Sequence, residues 1–136
     1  MLFKEPHYEA QLKASPIRLQ EIAWAFDKYS NEAMCVDPVA TRLWDLVPGE
    51  SGVHPLRRAI DFRCEVINGK PRSVFLYTAK EVSTLVNYIN KSFPRNDNKL
   101  VAIYHSFLDG PYHFHLQIPF DWLTIEEKKH ELARFL

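Results

Sequence analysis

The chain has 136 residues, of which 46% are hydrophobic and 13% aromatic, so we expect a single domain over residues 1–136 with a substantial core. Its seventeen basic and seventeen acidic residues cancel, which gives no electrostatic reason to expect a nucleic-acid partner or an anionic membrane surface. The N-terminal segment has no long apolar run, so we expect no signal peptide, no membrane partner and synthesis in the cytoplasm.

The first half of the chain predicts two helices and then a strand. Residues 14–32 place Ser15 as a helix cap ahead of apolar residues at helical spacing. Residues 37–47, "DPVATRLWDLV", predict a second, shorter helix. Residues 59–67, "AIDFRCEVI", alternate apolar and polar side chains and predict a half-buried strand whose polar face carries Asp61.

The second half of the chain predicts a strand, a helix, a hairpin and a closing helix. Residues 72–77 are typical of a strand, and Thr78 then opens a helix through a T-x-x-E capping box. Residues 99–107 and 111–118 predict the two strands of a hairpin joined at "LDG", and a second capping box at Thr124 opens the last helix. This order predicts an α+β domain with a small, mainly antiparallel sheet flanked by helices.

The cysteines and tryptophans predict structural rather than chemical roles. Cys35 and Cys64 form no CxxC pair, which argues against a disulfide framework and against a cysteine zinc knuckle. We therefore expect both cysteines in the core. We expect Trp24, Trp44 and Trp122 in the core or at its edge, because each lies in an amphipathic segment.

Two histidines share one face of the predicted strand "PYHFHLQI". Because successive side chains of a strand point to opposite faces, the aromatic and aliphatic residues face the core, whereas His113, His115 and Gln117 share the other face. Asp61 lies on the polar face of its own strand, and His54 lies in the loop that leads into that strand. A loop histidine and a strand aspartate can therefore converge on the face that carries the histidine pair.

A zinc site fits these residue types. Zinc accepts imidazole nitrogen and carboxylate oxygen, and a catalytic zinc site uses three protein ligands and keeps a fourth position open. His54, Asp61 and one of the paired histidines would supply the three ligands. The alternative is a chance spacing, in which these are ordinary solvated loop and strand residues. His105, on the neighbouring predicted strand, could reach the same cleft.

Two short motifs resemble the zinc D-alanyl-D-alanine carboxypeptidase family, which includes peptidoglycan-cleaving endolysins and the hedgehog signalling domain. The family's first motif, S-x-H-x-x-G-x-A-x-D, is similar to "GVHPLRRAID", where His54, Ala59 and Asp61 match and Arg57 stands at the glycine position. The second motif, an acid followed by H-x-H, is similar to "DGPYHFH". The resemblance implies the hedgehog/DD-peptidase fold.

The resemblance also implies roles for individual residues. It makes His54, Asp61 and His115 the ligands of a zinc cofactor, Zn2+. It places His113 beside the metal and Asp109 at the general-base position, with His113 as the second choice for the base. The implied reaction is hydrolysis of a peptide bond by metal-activated water.

The resemblance further implies a substrate and a setting. The substrate class is a peptidoglycan stem peptide that contains a D-amino acid, and Arg57, Arg58 and Arg63 are candidates for binding its carboxylates. A small enzyme without an export signal suits a phage lysis protein that is released to the cell wall. Two alternatives stay open: a zinc-binding domain without chemistry, and a metal-free structural or phage-associated domain.

Overall fold

The described part of the chain contains a five-stranded mixed sheet, a two-stranded sheet and four α-helices. The computed structural model describes residues 1–45, 53–67, 73–106 and 111–134. The predicted α+β class is confirmed. The helices are, in chain order, α1 (Pro6–Lys13), α2 (Ile17–Met34), α3 (Ala79–Ser92) and α4 (Ile125–Ala133). The strands are β1 (Leu2–Phe3), β2 (Val39–Arg42), β3 (Ala59–Arg63), β4 (Glu65–Ile67), β5 (Ser73–Phe75), β6 (Ala102–His105) and β7 (His113–Gln117).

The main sheet has five strands in the order β1-β2-β3-β7-β6, and β4 pairs with β5 in a separate two-stranded sheet. The β1–β2 pairing is parallel, whereas β2–β3, β3–β7 and β6–β7 are antiparallel, so the sheet is mixed. The predicted hairpin is confirmed as the β6–β7 pair, and its "LDG" connection lies outside the described residues. In the central β3–β7 pair, Asp61 lies opposite His115 and Arg63 lies opposite His113.

The core lies between one face of the sheet and the helices α2 and α3. Phe26 of α2 stacks on Phe62 of β3 with ring centroids 4.4 Å apart, and its ring meets the edge of Phe114 of β7 at 5.1 Å. Leu85 and Ile89 of α3 are also fully buried. Each such side chain contributes roughly 1.5–3 kcal/mol by leaving water. The helices therefore cover the face that carries Phe62 and Phe114, and the neighbouring residues Asp61 and His115 point to the other face.

Both capping boxes are confirmed. The Thr78 hydroxyl accepts a hydrogen bond from the Glu81 amide at 3.1 Å, and the Glu81 carboxylate accepts one from the Thr78 amide at 2.8 Å. Thr124 and Glu127 repeat this arrangement at the start of α4, with distances of 3.2 and 2.8 Å. Each box satisfies two amide groups that the first turn of a helix leaves without backbone partners.

The helix predicted over residues 37–47 is wrong. Val39–Arg42 instead form β2, which pairs with β1 on one side and with β3 on the other, while residues 46 and 47 lie outside the described ranges. Two ladders of backbone hydrogen bonds outweigh the local helix signal, and the β-branched Val39 and Thr41 suit a strand. Helix α1 was not predicted, and Ser15 donates its hydroxyl hydrogen to the Gln11 carbonyl rather than capping α2.

Three further expectations are corrected. The strand predicted over residues 59–67 divides at Cys64 into β3 and β4, which belong to different sheets. Cys64 is buried as expected, but Cys35 is exposed at the C-cap of α2, where its φ is 56°. Trp24 is 47% exposed, whereas Trp44 and Trp122 pack against the core. Within the described ranges, no helix combines the length and the apolarity that crossing a membrane would require.

Candidate metal centre

The sheet face opposite the helices carries a buried group of two imidazoles and one carboxylate. Asp61 comes from β3 and His115 from β7, and the register places these two residues directly opposite each other. His54 reaches them from the turn at residues 53–57 that precedes β3. All three residues are buried, with exposed fractions of 3% for His54, 3% for Asp61 and 8% for His115. The alternative, in which these three residues occupy solvated loop and strand positions, is therefore wrong.

The hydrogen bonding of His54 fixes which of its nitrogens faces the group. Its Nδ1 lies 2.6 Å from the Leu43 carbonyl oxygen, which can only accept, so Nδ1 carries the hydrogen. In the neutral ring Nε2 then has a bare lone pair. This Nε2 is buried 3.1 Å from Asp61 Oδ1 and makes no hydrogen bond within the described ranges, although the distance allows an ion pair with a protonated ring. A buried lone pair that faces a carboxylate is stabilised when a proton or a metal ion lies between the two groups.

His115 has acceptors at both ring nitrogens. Nδ1 lies 2.8 Å from Asp61 Oδ1, and Nε2 lies 2.9 Å from Gln117 Oε1. When Nε2 donates its hydrogen to Gln117, Nδ1 is left to face Asp61 and His54. Metal-binding histidines typically donate their second ring N–H to an oxygen acceptor, which fixes the ring orientation and the tautomer. The Leu43 carbonyl does this for His54, and Gln117 does it for His115.

The ionisation of Asp61 and His115 is coupled. Burial raises the pKa of Asp61, but the hydrogen bond with His115 and the closeness of the His54 and His115 imidazoles lower it more, so the carboxyl stays ionised well below its usual range. Burial lowers the pKa of His115, and the Asp61 carboxylate raises it more, so the net shift is upward. Without a metal, His115 therefore keeps its proton to a higher pH than a free imidazole does. A metal cation can replace that proton.

These donor atoms form a group that could hold a metal ion. One atom each from His54, Asp61 and His115 lies within 4.8 Å of the others. The two closest approaches, 2.8 and 3.1 Å, are near the spacing of about 3.3 Å between ligand atoms that lie 2.0–2.1 Å from a tetrahedral ion. The prediction that these three residues converge agrees with this geometry.

The turn that carries His54 is built around a residue with positive φ. Arg57 has φ 64°, its amide donates to the His54 carbonyl at 2.8 Å, and its guanidinium lies 3.7 Å from the centre of the Trp44 ring. A non-glycine residue in this conformation costs about 1–2 kcal/mol, which the contact with Trp44 offsets in part. Because Trp44 follows Leu43, this contact joins the turn to the segment that holds His54 in place.

The three arginines singled out in the sequence have different surroundings. Arg58 is held by Glu131, with Nε 2.6 Å from the carboxylate, and donates to the Ile118 carbonyl at 2.9 Å, so it anchors α4 to the sheet. Arg57 is held against Trp44. Arg63 is half-buried and shares the sheet face of Asp61, which is two residues away along β3.

Several further polar side chains border the group. His113 Nε2 lies 3.5 Å from Asp61 Oδ2, and Arg42 Nη1 lies 3.9 Å from the same oxygen. The ring of His105 lies 4.6 Å from that of His113 and 5.6 Å from that of His115. The structure thus brings His105 to this face, which its position on the strand next to β7 had left open. It also adds Arg42, which could not be predicted because only the pairing of β2 with β3 brings this residue opposite Asp61.

Asp109, the predicted general base, lies outside the described residues, as does Gly52 at the start of the first motif. Comparison of the chain with protein-family models, with curated proteins and with solved structures finds no match.

Proposed function

We propose that the protein is a zinc-dependent peptidase that hydrolyses peptide bonds of D-amino-acid-containing peptidoglycan stem peptides. The observation that carries the proposal is the buried lone pair of His54 Nε2, which meets Asp61 and His115 in an arrangement suited to a metal ion. The two motifs that resemble the D-alanyl-D-alanine carboxypeptidases contain these three residues. They supply the proposed metal, reaction and substrate class.

The donor set supports zinc as the metal. Two imidazole nitrogens and one carboxylate oxygen match the three-ligand sets of catalytic zinc sites, which keep one position for water or substrate. The outer hydrogen bonds of His54 and His115 to carbonyl oxygens are the supports that such ligands use. When bound, zinc supplies a Lewis acid that polarises the scissile carbonyl and lowers the pKa of a water molecule.

The residues of the chain would then orient the substrate and move protons. A carboxylate at Asp109 takes a proton as the water oxygen bonds to the carbonyl carbon, and it gives that proton to the nitrogen as the C–N bond breaks. His113 lies beside Asp61 and donates a hydrogen bond to the oxyanion. Arg42, 3.9 Å from Asp61, adds positive charge at the edge of the same group.

One backbone feature supports the hedgehog/DD-peptidase fold that the motifs imply. The family motif has glycine where this chain has Arg57, and Arg57 adopts the positive φ that glycine adopts without steric cost. The backbone of this chain at Arg57 is therefore one that a glycine at the same motif position could adopt. Release to the cell wall from a phage source belongs to the same proposal and rests on the resemblance alone.

The test is the action of the zinc-loaded protein on purified peptidoglycan and on defined stem peptides, with the products identified by mass spectrometry. We expect new amine and carboxyl ends at a bond next to a D-amino acid. His113→Ala and Asp109→Ala should each lower the rate by about 10²–10⁴-fold, the usual contribution of such groups. His7→Ala, an exposed histidine on α1, serves as the matched control.

Two results would contradict the proposal. If the folded, zinc-loaded protein releases no fragment from any substrate, the site binds metal without peptidase chemistry. If activity survives in both His113→Ala and Asp109→Ala, the assignment of these catalytic residues is wrong.

A further inference from the structure

A second row of polar side chains lies next to the metal centre on the same sheet face. The antiparallel register places Arg63 of β3 opposite His113 of β7, and His113 opposite His105 of β6. Arg63 and His113 each lie two residues from a proposed metal ligand, which is about 7 Å along a strand. The row therefore runs parallel to the pair formed by Asp61 and His115.

The charge of this row differs from that of the metal centre. The metal centre contains the Asp61 carboxylate, whereas the row Arg63–His113–His105 contains a guanidinium and two imidazoles and no acid. Arg63 is half-buried, and within the described ranges its guanidinium makes no hydrogen bond or ion pair. Arg58, by contrast, already donates hydrogen bonds to the Glu131 carboxylate and to the Ile118 carbonyl oxygen. Arg63 is therefore the one of these two arginines that can bind a ligand.

Geometry and chemistry together favour a carboxylate as that ligand. A planar guanidinium binds carboxylates with two parallel hydrogen bonds. One or two residues of extended peptide span about 3.3–7 Å, which matches the distance from the metal ligands to this row. A peptide whose scissile carbonyl lies at the metal centre would thus bring a nearby carboxylate to Arg63.

We propose that Arg63 is a specificity-determining residue that binds a substrate carboxylate one or two residues from the scissile bond. This inference rests on the proposed peptidase function and narrows its substrate class to peptides with a carboxylate at that place. The carboxylate is either the free C-terminus of the peptide or an acidic side chain within it.

The experiment compares three peptides with the zinc-loaded wild type and with Arg63→Gln. The peptides are N-acetyl-D-alanyl-D-alanine, its C-terminal amide, and the C-terminal amide of N-acetyl-D-alanyl-D-glutamate. We expect the wild type to prefer one acidic peptide over the neutral amide by about 10- to 100-fold in kcat/KM. Arg63→Gln should remove that preference, Arg63→Lys should keep part of it, and Arg18→Gln on α2 should keep all of it.

The preferred peptide identifies the source of the carboxylate. Preference for N-acetyl-D-alanyl-D-alanine indicates a C-terminal carboxylate, and preference for the amide of N-acetyl-D-alanyl-D-glutamate indicates an acidic side chain. An unchanged preference in Arg63→Gln, or no preference in the wild type, overturns the inference. If no peptide is cleaved, the affinities of the same peptides, measured by NMR titration, replace the rates. If binding without cleavage still prefers an acidic peptide and depends on Arg63, the carboxylate site is supported and the peptidase proposal fails. The failure of the carboxylate site and the failure of the peptidase proposal are therefore distinguishable.

Discussion

Gln117 gives a test of the metal centre that leaves the three proposed ligands untouched. Its side-chain oxygen lies 2.9 Å from His115 Nε2 and holds the ring so that Nδ1 faces Asp61. Gln117 is half-buried on the sheet face that carries Asp61 and His115, away from the helices, and its backbone pairing with Ala59 does not involve its side chain. Gln117→Met removes the acceptor and leaves the core unchanged.

The expected loss follows from the single hydrogen bond that the substitution removes. Outer hydrogen bonds to metal-binding histidines typically contribute 10–100-fold to metal affinity. We therefore expect Gln117→Met to bind zinc about 10–100-fold more weakly, which corresponds to about 1.4–2.7 kcal/mol. The loss arises because the freed ring can rotate, and its Nδ1 lone pair then no longer points at Asp61.

The assay is competition for zinc between the protein and a chromophoric chelator, with circular dichroism to show that the variant is folded. Gln117→Glu is the matched control, because its carboxylate still accepts a hydrogen bond from Nε2 and should keep or increase the affinity. Wild-type affinity in a folded Gln117→Met protein would refute the reasoning, since His115 would then need no outer support to bind the metal.

Three further predictions concern pH and stability. The pKa of metal-free His115 is raised, so zinc must displace a proton from this imidazole when it binds. In chelator competition, the zinc affinity should therefore fall about tenfold per pH unit as the pH drops below that pKa. A zinc affinity that does not change with pH would contradict this. Arg58→Met should lower the free energy of unfolding by about 3–5 kcal/mol in denaturant titrations, because it leaves the Glu131 carboxylate buried without a partner. Adding Glu131→Leu should restore most of this stability. An Arg58→Met variant as stable as the wild type would show that the ion pair is not needed. Burial raises the pKa of Tyr77 to about 12. The stability that comes from keeping the Tyr77 hydroxyl protonated is therefore complete below pH 10 and is lost as the pH rises through about 12. An ultraviolet titration in which all tyrosines of the folded protein ionise near pH 10 would contradict this.

The elements with strong local signals were predictable from the sequence. The capping boxes at Thr78 and Thr124 define two helix starts within a few residues, because their hydrogen bonds are purely local. The alternation in "PYHFHLQI" placed Phe114 in the core and His115 on the opposite face, as in the structure. Tyr112 is the exception: it was assigned to the core but is 43% exposed, because β7 begins only at His113.

The long-range features were not predictable from local patterns. Asp37 and Pro38 are typical of a helix start, but the place of residues 39–42 between β1 and β3 is decided by strands distant in sequence. The alternation around Asp61 predicted a half-buried strand with a polar face. His54 covers that face, so the carboxylate is almost fully buried. The hydrogen bond from His54 to Leu43 joins a turn to a backbone carbonyl, and no side-chain pattern indicates it.

The most direct test of the account is the metal content of the purified protein after equilibration with zinc and removal of free metal. Elemental mass spectrometry should find one zinc per chain in the wild type and in His7→Ala, and none in Asp61→Asn, which removes the charge that faces His54 and His115. The same measurement distinguishes zinc from ferrous iron, which also binds sets of two histidines and one carboxylate. A folded wild type that takes up no zinc, or an Asp61→Asn variant that holds as much zinc as the wild type, would contradict the proposed metal centre.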